Sequence, residues 1–115
     1  MIMQDEIGLD RLFHALADTS RRGMIDRLSR GPASATELAQ PLTMALPSVV
    51  KHLAVLEAGG VVTSEKAGRV RTYRLAPAAL SRVEDWAAVR KAGLNAQFDR
   101  LEAYLLEQGP KGDDA

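Results

Sequence analysis

Helix breakers fall at short intervals through the middle of this chain and then thin out. Gly31-Pro32, Pro41, Pro47, Gly59-Gly60 and Ala67-Gly68 divide residues 18–75 into short segments. Gly and Pro at these positions end or begin regular structure, so no long element fits there. Up to Gly59 the apolar residues recur at helical spacing, and beyond Gly60 they alternate as in strands. The breakers therefore dictate several short helices, then a hairpin, then one long final helix.

The spacing predicts a first helix from about Ile7 to Ala17, with Leu9, Leu12, Phe13 and Leu16 on one side. Asp18, Thr19 and Ser20 form a cap cluster for a second helix carrying Met24, Ile25 and Leu28. "SATE", Ser34 to Glu37, has capping-box form and opens a short third helix that Pro41 ends. "LPSVVKHLAVLEAGG", Leu46 to Gly60, is a fourth, with Pro47 tolerated in its first turn. Val61 to Lys66 and Arg69 to Leu75 read as strands joined through Ala67-Gly68, with Tyr73 and Leu75 on the packed face. A long helix is expected from about Ala78 to Gln108. This order is that of a winged helix-turn-helix, mostly α with a two-stranded β-hairpin wing. One domain over 1–108 is expected, with "GPKGDDA" at 109–115 as a disordered tail.

Composition narrows the function. Fifteen basic residues balance fifteen acidic ones, so a polyanion must be bound by a local patch. The chain has no cysteine, which excludes disulfides and thiolate metal ligands. The N-terminus shows no secretory pattern, and no apolar run approaches the roughly 18 residues of a membrane span. A cytoplasmic protein without membrane attachment is the expectation.

The fourth helix carries the functional argument. At about 100° per residue, Leu46, Val49, Val50, Leu53 and Leu56 form one broad stripe. Ser48, Lys51, His52 and Val55 fall on the opposite arc. From Lys51 to Arg74 there are five cations against two acids, a net of +3 on this helix and the hairpin. A winged helix turns these two elements toward DNA. Ser48, Lys51 and His52 then become candidate donors to bases or phosphates, and Val55 a contact for thymine methyls. Arg69 and Arg71 flank the wing tip and are expected on the sugar-phosphate track. The alternative is an ordinary solvated face.

Arg21 and Arg22 lie in a first helical turn, where the macrodipole disfavours cations. Either Asp18 and Asp26 compensate them or they meet phosphate. Thr36 is either a phosphate contact or a surface threonine. Nothing favours an enzyme: two histidines lie on different elements, and "EAGGVV" is no phosphate loop. His14 and Asp18 alone make a poor metal site. No cofactor is expected.

The last helix bears on assembly. Some 30 residues span roughly 45 Å, more than the roughly 35 Å across a globule of this size. Leu94, Phe98, Leu101 and Leu105 form a stripe that is expected to pack against a second chain. A kink near Gly93 would instead let the stripe pack within one chain.

These residues resemble the ArsR/SmtB family of bacterial winged-helix repressors. The resemblance runs from "LFHALADTSRR" through "SATELA", "LPSVVKHLAVLEAGGVV" and "GRVRTYRL" to "DWAAV". It implies a homodimer, built on the first and last helices with Leu9 and Phe13 beside the stripe of the last, that binds double-stranded DNA at an inverted-repeat operator. A winged-helix protein-interaction module without DNA affinity is the rival. Two departures stand out. The family often has serine where this chain has Ala45 and Val50. Its metal-responsive members use cysteines or late histidines, which this chain lacks, so it is similar to the cysteine-free branch, with its small-molecule inducer unknown.

Overall fold

The computed structural model describes the backbone of residues 4–113 and the side chains of residues 6–108. The elements, in order, are α1 (Gln4–Leu16), α2 (Thr19–Leu28), β1 (Ala33–Ser34), α3 (Ala35–Ala39), α4 (Leu46–Ala58), β2 (Val62–Ala67), β3 (Val70–Leu75) and α5 (Pro77–Asp113). The chain divides into two compact units, one ending at Leu80 and the other beginning at Ser81.

In the first unit, α4 packs on α1, α2, α3 and β2. Leu12 of α1 and Val49, Leu53 and Leu56 of α4 are fully buried. Truncating such a leucine to alanine costs about 2–5 kcal/mol. The caps read from sequence are present. The Asp18 carboxylate accepts from the Arg21 backbone N–H at 3.0 Å, and Ser34 and Glu37 form a reciprocal capping box. Ala45 begins α4 without any side-chain cap.

The end of α4 is a Schellman motif. Val61 N–H donates to Leu56 O at 2.9 Å and Gly60 N–H to Glu57 O at 3.0 Å. Gly60 supplies the required positive φ of 76°. Leu56 and Val61 are both fully buried, which completes the motif's apolar contact and aims the chain into the hairpin. Gly59 has a different task. A Cβ there would lie 2.8 Å from Arg11 O and 2.9 Å from Ala15 Cβ, so only glycine lets α1 and α4 approach this closely.

The sheet has three strands in the order β1-β3-β2, all antiparallel. The expectation of a two-stranded wing is thus extended by β1, where Ala33 pairs with Tyr73 and Ser34 with Thr72. The hairpin also closes one residue later than expected. Ala67 pairs with Val70, which leaves Gly68-Arg69 as a two-residue turn. Gly68 has φ 63° and no described non-glycine residue has positive φ, the pattern of a type II′ turn. Arg69 therefore sits at the wing tip itself.

α5 starts at Pro77, before the second unit begins, and is one helix without a break at Gly93. Its 37 residues give a length of about 55 Å. Its backbone continues past Gln108, where the sequence reading ended it. The side chains of residues 109–113 and all of residues 114–115, the rest of the expected tail, lie outside the described residues. Arg90 stacks on Trp86 one turn back, 4.5 Å from the ring centroid. Leu94, Phe98, Leu101 and Leu105 are each at least half exposed, at spacings of four, three and four. Among the described residues no helix is long and apolar enough to cross a membrane.

Candidate nucleic-acid interface

The buried face of α4 is narrower than its spacing predicts. Val49, Leu53 and Leu56 are covered, but Leu46 is 44% and Val50 45% exposed. Val50 instead lines an open groove together with residues of α3 and the wing. That groove, about 470 Å³, is lined by Thr36, Val50, Lys66, Arg69, Val70 and Arg71, with Ser34, Ala35 and Tyr73 at its floor and rim. The structure thus brings together three of the residues singled out from sequence: Thr36, Arg69 and Arg71. Ser48 and Lys51 lie exposed on the outer arc of α4. Lys66 joins the groove because the register places it opposite Arg71.

Arg71 is fixed by a chain of hydrogen bonds. Its Nη1 donates to Ser64 Oγ at 2.9 Å, and Ser64 Oγ donates to Glu57 Oε2 at 2.7 Å. Glu57 belongs to the last turn of α4, so this chain ties the wing to the helix it flanks. In sequence Glu57 counts only as an acid set against the cations. Its partner seven residues on is visible only after the hairpin folds.

His52 stands at the other edge of α4 and is only partly exposed. Its Nδ1 lies 3.2 Å from Arg21 Nη1 and 3.9 Å from Asp18 Oδ2. Guanidinium is all donor, so the Arg21 contact is a hydrogen bond when Nδ1 carries no proton. His52 therefore couples α4 to the start of α2 and is not a free member of the outer arc.

The two arginines of α2 correct the sequence reading. Arg21 is 8% exposed, and its Nε donates to Ala15 O at 2.8 Å and its Nη2 to His14 O at 2.9 Å. Arg22 is exposed, and its Nη1 donates to Leu16 O at 2.7 Å. Both cap the last carbonyls of α1, where a helix leaves acceptors unpaired and its dipole favours cations. The unfavourable place at the start of α2 is a favourable one at the end of α1. The Arg21 guanidinium is turned inward, toward the His14 and Ala15 carbonyls and His52. Asp18 sits close to Arg21, as expected.

Asp18 and Glu37 are both held below the usual carboxylate range. For Asp18 the main cause is the Arg21 backbone N–H, aided by the charges of Arg21 and His52 against the opposing effect of burial. For Glu37 it is hydrogen bonding to the backbone and hydroxyl of Ser34. No group of three or more potential metal ligands occurs among the described residues. Leu9 and Phe13 of α1, expected at a dimer interface, are partly exposed.

A helix-turn-helix domain model matches residues 16–65, which run from the end of α1 into β2. Over 110 residues the chain is 42% identical to the HTH-type transcriptional regulator Rv2034 of Mycobacterium tuberculosis (strain ATCC 25618 / H37Rv). The match covers 91% of this chain and 92% of the relative. The fold also superposes, with a TM-score of 0.74 and 44% identity, on the crystal structure of an ArsR family transcriptional regulator. That likeness covers 76% of this chain and 97% of the other. The chain belongs to the ArsR/SmtB family of transcriptional regulators. Another ArsR-like structure is the homodimeric winged helix-turn-helix DNA-binding domain (fragment 1-100) of Mb0332 from Mycobacterium bovis. It is 26% identical, with a TM-score of 0.60, and the likeness covers 74% of this chain and 79% of that one. Ala45 leaves α4 without a side-chain cap, and Val50 is apolar yet exposed.

Proposed function

We propose that this protein is a sequence-specific DNA-binding repressor that acts as a homodimer on an inverted-repeat operator. The observation that carries the reading is the single groove flanked by α4 and by Thr36, Lys66, Arg69 and Arg71. A duplex entering with its major groove on α4 would place its backbone along those cations and that hydroxyl. Ser48 and Lys51, exposed on α4, reach base edges or phosphates there. Arg69, at the wing tip, takes the backbone or the adjacent minor groove. His52 works from the edge, by holding α4 against Arg21.

The half-exposed seam Leu94, Phe98, Leu101 and Leu105 supports dimerisation, because spacing of four and three suits helix pairing between chains. Leu9 and Phe13 are proposed to complete that interface. A two-fold dimer presents two copies of α4 to two half-sites, and occupancy would exclude the transcription machinery from the operator. The protein is a cytoplasmic regulator and has no catalytic role in this reading.

Sedimentation velocity at micromolar concentration, with and without a bound duplex, tests the assembly. A two-chain species alone and two chains per duplex are expected. A monomer in both conditions would sink the dimer.

A further inference from the structure

The groove holds an exposed valine of α4 among its cations. Val50 is 45% exposed, and Val70, across the groove on the wing, is 54% exposed. A lone exposed valine needs no explanation. Two valines lining one groove beside Lys66, Arg69 and Arg71 are another matter. Whatever fills this groove must offer anionic groups to the cations and small apolar projections to the valines. The residues one helical turn either side of Val50 are Leu46 and Ala54, so this strip of α4 holds no side-chain donor or acceptor. It cannot read a base by hydrogen bonding.

In a major groove one base feature is apolar, the C5-methyl of thymine, and it lies within a duplex whose phosphates supply the anions. We infer that Val50 is a specificity-determining residue that contacts a thymine methyl in each half-site. The inference rests on the DNA-binding reading above. Val70 closes the groove on the wing side, where it faces the sugar edge of the same strand. Val55, which the sequence offers for thymine, lies roughly 140° around the helix from Val50 and is partly buried. A protein partner suits the groove less well, because the three cations leave little continuous apolar surface for one.

The test removes the methyl from the DNA and the isopropyl group from the protein. A duplex is first recovered by selection from a random pool. Each thymine is then replaced in turn by deoxyuridine, and affinity is measured for wild type and for Val50→Ala. The variant truncates an exposed side chain, and its melting temperature checks that it folds. At one symmetric pair of positions the replacement should weaken wild type about fourfold per methyl, or about 15-fold for both half-sites. Val50→Ala should not distinguish thymine from deoxyuridine at those positions. Replacement that leaves wild type unaffected at every thymine would overturn the inference, as would an equal loss in Val50→Ala. If wild type and Val50→Ala also bind DNA alike, the groove faces a protein instead. Should no duplex be recovered at all, the DNA-binding reading itself fails and this inference with it.

Discussion

The Arg21 guanidinium joins three parts of the molecule: the last carbonyls of α1, the N-terminus of α2, and Nδ1 of His52 on α4, 3.2 Å away. It ties α4 to the junction of α1 and α2 through His52. Arg21→Ala should leave the His14 and Ala15 carbonyls without these donors and destabilise the fold by about 3 kcal/mol in urea unfolding. Arg21→Lys should recover little, since an ammonium cannot reproduce the planar fork. Unchanged stability with weakened DNA binding would mean that Arg21 meets phosphate after all.

Two glycines should respond oppositely to the same substitution. Gly59→Ala forces a Cβ to within 2.8 Å of the α1 backbone and should cost about 1–3 kcal/mol. Gly23 lies within α2 with nothing within 4 Å of its added Cβ. Gly23→Ala should therefore stabilise by about 0.5–1 kcal/mol. Thermal unfolding of the two variants beside wild type decides both.

Asp18 links stability to acid. Its carboxyl is held low in the folded state, chiefly by the Arg21 backbone N–H. The folded value therefore lies below the unfolded one, and the stabilisation is complete above about pH 4. It fades as pH falls through the folded value. Asp18→Asn keeps an N-capping side chain without the titration. Its melting temperature should fall less steeply than that of wild type below pH 4. Parallel curves would show that Asp18 contributes nothing to the acid sensitivity.

Lys51 and Arg69 should separate from Arg74 in DNA binding. Arg74 pairs with Thr63 on the sheet face opposite Lys66 and Arg71, and it does not line the groove. Lys51→Ala and Arg69→Ala should each weaken binding. For Arg69→Ala the slope of log affinity against log salt should flatten by about 1.8, one phosphate per protomer. Arg74→Ala should change neither by as much. Affinities measured by fluorescence anisotropy at several salt concentrations read all three.

What sequence made legible was local. The cap clusters at Asp18 and Ser34, the capping box with Glu37 and the turn glycine Gly68 act within three or four residues, and each is where its chemistry requires. β1 was not legible, because two residues carry no alternation and its pairing with Tyr73 and Thr72 spans nearly forty positions. Helical spacing placed Val50 on the apolar side of α4 but held nothing about which neighbour would cover it, and none does. The arginines at the start of α2 look misplaced along the chain. They make sense only once the end of α1 folds beside them. Of the groove residues, Thr36, Arg69 and Arg71 are legible as candidates in the sequence, whereas their meeting with Val50 and Lys66, and the contacts of Glu57 with Ser64 and Arg21 with His52, depend on tertiary structure.

The central claim is that this chain reads DNA sequence as a dimer. Selection of bound duplexes from a random pool, followed by affinity titration of the enriched sequence against salt, tests it most directly. An inverted repeat with half-sites about one helical turn apart is expected, with an affinity that falls steeply with salt. A pool that shows no enrichment, with only weak binding at low salt, would contradict it.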